Sequence, residues 1–202
     1  MMDLCEETLL RRKGRRMFVI NQNNFEIAPV KLRFNKTSQD YINTLSTIVS
    51  TSIFEITGKC HTLLGTSYNG ARTSAAPYYG FGTNSSNKWY AYMGGLLFSS
   101  VNADTNDHVF SLRTNDGLYI DSNLIYNLST AGITTISDVF YICKSNQTIY
   151  MNFDISEIKI YTGATLLKRL VGRANGAFQD TINNVWYYNR ESVTNQYPLT
   201  VV

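Results

Sequence analysis

Apolar and polar residues alternate most clearly in the last third of the chain. Between Met151 and Gly163, then from Leu166 to Val171 and from Val185 to Asn189, Phe153, Ile155, Ile158, Ile160, Leu166, Leu170 and Val171 take the apolar positions. Asp154, Ser156, Glu157, Lys159, Lys168 and Arg169 take the polar ones. Near-period-two spacing with small turns and no intervening helical run predicts antiparallel strands with one dry face.

The same alternation recurs upstream. Strands are predicted over Tyr41 to Leu45, Thr51 to Ile56, Thr62 to Leu64, Tyr78 to Thr83, Trp89 to Met93 and Leu96 to Val101. Others follow over His108 to Arg113, Leu118 to Asp121, Val139 to Lys144 and Thr148 to Phe153. A strand about every ten residues points to a sandwich or barrel. Asn115-Asp-Gly117 is the clearest hairpin turn, with Gly94-Gly95 and Asn69-Gly70 as weaker signals. Met17 to Ile20 and Phe25 to Val30 read as a strand, a turn and an edge strand stopped at Pro29.

Residues 1–20 differ in kind. Leu9 and Leu10 sit beside Arg11, Arg12, Lys13, Arg15 and Arg16, with Asp3, Glu6 and Glu7 ahead of them. Acidic residues early and basic residues late suit a short helix, and the segment is expected to be a helical or extended docking arm. Five of the eighteen Lys and Arg lie in residues 11–16, so the excess basicity is local. No aromatic residue interleaves them, which argues against nucleic acid as a partner. The expected organisation is an arm over 1–20, a sandwich over 21–192 and a tail over 193–202; the stretch from Glu191 to Val202 is a candidate for a strand exchanged with a neighbour.

Composition adds little chemistry. The 202 residues are 16% charged and 13% aromatic, a mix suited to sheets and contact surfaces. Three cysteines, Cys5, Cys60 and Cys143, show no CxxC spacing and read as buried free thiols rather than a disulfide or zinc framework. The acidic N-terminal residues lack a long apolar run, so neither a signal peptide nor a membrane anchor is expected. The two histidines, His61 and His108, read as hydrogen-bonded sheet residues, and no nucleophile elbow, HExxH, P-loop or GxGxxG is present. The expectation is a non-enzymatic protein with no cofactor.

Three constellations remain as candidates. Asp154 and Glu157, three apart, would face opposite sides of a strand unless a bulge intervened, so they do not form a glycosidase pair. Asp104 and Asp107 sit in an oxygen-rich loop and are weak calcium candidates, too few on their own for six to eight ligands. Tyr79, Trp89 and Tyr92 belong to the densest aromatic cluster and are candidate glycan contacts, although alternate rings of such strands turn into a core.

The order of these elements resembles the laminin-G-like, concanavalin-A-like jelly rolls of tailed-bacteriophage virion proteins. The resemblance rests on a strand ending Ile160-Tyr-Thr-Gly163, then Leu166-Leu-Lys-Arg-Leu-Val171, Asp180-Thr-Ile-Asn-Asn184 and Trp186-Tyr-Tyr-Asn189. Tyr41-Ile-Asn-Thr44, Leu63-Leu-Gly-Thr-Ser67, Phe81-Gly-Thr-Asn84, Lys88-Trp-Tyr-Ala-Tyr92 and the stretch from His108 to Asp121 fit in the same order. It covers about residues 25–190 and departs from the pattern at Gly172-Arg-Ala-Asn-Gly176 and Ala177-Phe-Gln-Asp180. The resemblance implies an all-β jelly roll and a structural protein on the outside of a phage particle assembled in host cytoplasm. That protein would be a head fibre or capsid decoration whose arm docks on capsid or fibre-stalk proteins. It also implies a homo-oligomer, with a trimer favoured, and no membrane contact. The alternative it leaves open is a tail-fibre lectin that grips host glycans.

Overall fold

The computed structural model describes residues 28–63, 69–73, 78–145, 149–189 and 197–202, with the short stretches 10–12 and 15–17. In the arm, β1 (Leu10–Arg12) and β2 (Arg15–Met17) pair antiparallel, Leu10 opposite Met17. Of the helical or extended arm expected there, these two stretches are extended. Leu9 and Lys13 lie outside the described residues.

The remaining strands are β3 (Leu32–Phe34), β4 (Ile42–Val49), β5 (Ser52–Cys60), β6 (Asn69–Thr73), β7 (Tyr78–Thr83), β8 (Trp89–Gly94), β9 (Leu96–Phe98), β10 (His108–Arg113) and β11 (Gly117–Ile120). They continue with β12 (Asn123–Asn127), β13 (Thr135–Ile142), β14 (Lys144–Ser145), β15 (Ile149–Tyr150), β16 (Phe153–Thr162), β17 (Thr165–Gly172), β18 (Phe178–Asp180), β19 (Val185–Tyr187) and β20 (Thr200–Val201). Every pairing is antiparallel, and no helix occurs among the described residues.

Two sheets carry the architecture. One runs β12-β11-β10-β5-β16-β17-β18-β19, with β3 added beside β16 and β20 beside β3; the other runs β4-β13-β6-β7-β8-β9. Burial alternates along β5, so that Phe54 and Ile56 turn inward while Glu55, Thr57 and Lys59 turn out. The Phe54 ring meets Phe140 at 4.1 Å and Tyr79 at 5.8 Å, both from the six-stranded sheet. Phe110 likewise meets Trp89 at 4.9 Å and Phe81 at 5.3 Å. The two inner faces thus press together into one core, as in a sandwich. The Tyr79 hydroxyl crosses the layer and donates to the Leu112 carbonyl at 2.8 Å, so this buried hydroxyl is satisfied.

Several strands lie where the alternation puts them, β7 and β10 residue for residue. Others differ. Thr62 and Leu63 are not in a strand. Asn69-Gly70 is inside β6, where Gly70 faces Gly82 across the ladder, so it is no turn. Between β10 and β11 the positive φ falls on Asn115 (+55°), while Gly117 already belongs to the strand. Gly94, with φ +62°, turns β8 into β9 as expected. In the tail, β20 pairs with Leu32 and Arg33 of β3. The segment from Phe18 to Ile27 lies outside the described residues.

Phe54→Ala should cost about 3–5 kcal/mol through the cavity it leaves. Leu45→Ala, at a residue 60% exposed, should stay within about 0.5 kcal/mol. Urea unfolding of the two variants measures both, and equal losses would contradict this placement of the core.

Candidate functional site

The most organised chemistry lies on the outer face of the larger sheet, and a single extra residue creates it. Opposite β5, the register of β16 slips between Ile155 and Glu157, leaving Ser156 as a bulge. Before the slip, Phe153 and Ile155 face the core; after it, Ile158 and Ile160 do. Asp154 and Glu157 therefore share the outer face. This corrects the expectation that strand alternation separates them, through the one exception that geometry allows.

Each carboxylate meets a guanidinium from the strand on its other side. Arg33 on β3 donates from Nε and Nη2 to the two oxygens of Asp154, at 2.8 and 2.9 Å. That bidentate fork serves a carboxylate only 1% exposed. Arg169 on β17 donates to Glu157 at 2.7 Å, and Lys159 reaches its other oxygen at 3.1 Å. Burial alone would raise the Glu157 carboxyl, but Arg169 and Lys159 outweigh it and hold the group below its ordinary value. A glycosidase acid needs the opposite shift. Glu157 is thus held as a fixed charge between Arg169 and Lys159.

A second cluster ties loops together at the end of β10. His108 bonds Asp121 through Nδ1 at 2.6 Å and Asp104 through Nε2 at 2.9 Å, while its ring packs edge-on to Trp89 at 6.3 Å. Burial pulls its pKa down, but hydrogen bonds to Asp121 and Asp104 more than reverse this, so the imidazolium is favoured. Both partner carboxyls fall below their ordinary values: burial opposes this, while backbone N–H groups of Asn106 and Val109, and His108 itself, overcome it. With both ring nitrogens engaged, His108 is a clamp between the 99–107 loop and the β11–β12 turn. His61 is also hydrogen-bonded, to the Thr62 hydroxyl at 3.0 Å and the Phe34 carbonyl at 3.3 Å.

The structure separates most residues singled out from the sequence. Tyr79 and Trp89 are 0% and 2% exposed and belong to the core, so neither ring can stack on a sugar. Tyr92 is half-buried and packs against Tyr78 at 5.3 Å. Asp104 and Asp107 do not converge on a common point: the first holds His108, and the second pairs with Lys31 at 2.7 Å. No cluster of three or more metal-ligating side chains occurs among the described residues. Cys60 and Cys143 are buried free thiols, with burial pushing Cys60 up to about 11 and Cys143 well above the ordinary value. Cys5 and the side chains of Leu10, Arg11, Arg12, Arg15 and Arg16 lie outside the described set.

Sequence reading missed the partners that make these groups work. Arg33 and Asp154 are 121 positions apart, and no local signal joins them. Asp180, 0% exposed, accepts from the backbone N–H groups of Arg169, Ile182 and Asn183 and from the Asn183 side-chain amide, fastening the β18–β19 turn to β17. A buried Asp followed by Asn three residues later is the signal that could have found it.

Fold and site together define an antiparallel all-β protein with a charged outer sheet face. No protein-family model matches the chain, and no curated protein matches it.

The His108 contribution to stability is present in full below 6.5, its ordinary value, and is lost as pH rises through the raised one. Those of Asp104 and Asp121 are present above 3.8, their ordinary value, and are lost as pH falls through the lowered ones. Melting temperature should therefore decline as pH rises above 6.5, and His108→Gln should flatten that decline. Profiles of the same shape in both proteins would count against the clamp.

Proposed function

We propose that the chain is a non-enzymatic structural component of a tailed-bacteriophage virion, a head fibre or capsid decoration protein built on a concanavalin-A-like jelly roll. Its basic N-terminal arm docks on the particle and the sandwich projects outward. The resemblance in strand and turn order supplies the class. The observation that carries a contact role is an apolar edge. Leu167, Ile182, Val185 and Trp186 are 43%, 52%, 46% and 40% exposed. They lie on β17, in the β18–β19 turn and on β19, and the Asn183 amide, donating to the Leu167 carbonyl at 3.0 Å, holds that turn against β17.

Among the described residues β19 pairs only with β18, and it carries no Lys, Pro or charge of the kind that keeps solitary edges apart. Such an edge suits burial against a neighbour in a symmetric assembly, a trimer of this chain or the protein beside it on the particle. Of the three rings named for the glycan-binding alternative, Tyr79 and Trp89 are buried and Tyr92 is half-buried.

Gold-conjugated antibody against residues 28–189, applied to purified particles and imaged, should decorate the head. Gold at the tail tip would transfer the chain to the adhesins, and bare particles would overturn the virion reading.

A further inference from the structure

A groove of about 490 Å³ crosses the outer face of the larger sheet at the end where β3 begins. Across its floor, register places Lys59 of β5 opposite Asp154 of β16, and Asp154 opposite Arg33 of β3. Lys31 stands at one side, and Val201 and Val202, 43% and 48% exposed, form an apolar wall.

The charges in it are unequally occupied. Arg33 spends Nε and Nη2 on Asp154, which leaves Nη1 and its two protons unpartnered among the described residues. Lys31 is paired with Asp107. Lys59 has no hydrogen-bond or ion-pair partner among the described residues. With Asp154 sealed beneath Arg33, the groove shows a ligand two unspent cationic donors beside two exposed valine side chains, and those donors suit an anionic group.

The shape and lining narrow the ligand. Small-molecule sites enclose most of their ligand's surface; this groove is open to solvent, which suits a segment of something larger. It has no exposed aromatic ring on which a sugar or a base could stack. Two of its three cations already hold carboxylates, too few free charges for the phosphates of a nucleic acid. We propose that the groove receives a segment of a partner protein bearing glutamate or aspartate next to aliphatic residues, its carboxylate lying between Arg33 Nη1 and Lys59 Nζ. The proposal does not depend on the virion reading above.

The test is fluorescence anisotropy with the full chain and a labelled peptide of alternating glutamate and valine, at low and high salt. Lys59→Gln should weaken binding severalfold and Lys59→Glu roughly tenfold or more, both with an unchanged circular-dichroism spectrum. Lys36→Glu makes the same change of charge just after β3 but outside the groove, and it should bind as the wild type does. Absence of peptide binding, equal loss in Lys59→Glu and Lys36→Glu, or full retention in Lys59→Glu would each overturn the proposal. So would equally strong competition by inorganic phosphate or duplex DNA, since the site would then read charge alone.

Discussion

The bulge at Ser156 is the constraint on which the rest of the structure turns. β16 is hydrogen-bonded to β5 along one side and to β3 and then β17 along the other, so its facing decides the facing of every strand around it. One extra residue changes the parity of its inward positions from 153 and 155 to 158 and 160. Without it, either Phe153 and Ile155 or Ile158 and Ile160 would be turned into water. The bulge needs room, and Gly58 provides it: a Cβ there would stand 2.2 Å from the Asp154 carbonyl oxygen. A side-chain-free residue in the middle of a long strand, ordinarily a weakness, is here what allows the two halves of the sheet to share one core.

The electrostatics of the outer face follow from that geometry. Because Asp154 is turned outward yet covered, it must have a cation, and Arg33 supplies one from β3. That places the guanidinium at the seam where β3 and β17 share one side of β16, where Val30 also donates to the Gly172 carbonyl at 3.1 Å. Glu157, brought to the same face by the bulge, recruits Arg169 and Lys159. The Arg33–Asp154 and Arg169–Glu157 pairs add modest stability but fix register, since each joins neighbouring strands at one offset. The same face then has few cations left without partners, which is why Lys59 and the unused edge of Arg33 stand out.

Legibility in the sequence tracked the range of the interaction. Period-two alternation is local, so β7, β10 and the middle of β16 could be read from residue order. The step from Phe153 and Ile155 to Ile158 and Ile160 was itself visible as a break in strict alternation, and it is the trace of the bulge. What pairs with what was not visible. Arg33 finds Asp154, Lys31 finds Asp107 and His108 finds Asp121 only once distant segments are side by side. The aromatic cluster misled for a related reason: composition marks Tyr79 and Trp89 as sticky, but only the second sheet decides that their faces are spent inside. Asn69-Gly70 misled as a turn because both residues lie inside β6, with Gly70 opposite Gly82.

The unfolding free energy of Gly58→Ala set against that of Gly95→Ala tests the central claim most directly. A Cβ at Gly95 meets nothing within 4 Å, so that variant should stay within about 1 kcal/mol of the wild type. Gly58→Ala forces β5 and β16 apart at the bulge and should lose at least about 3 kcal/mol, with Arg33 and Asp154 pulled out of register. Equal stability in the two variants would contradict the account, because β16 would then hold its facing without the space that Gly58 leaves.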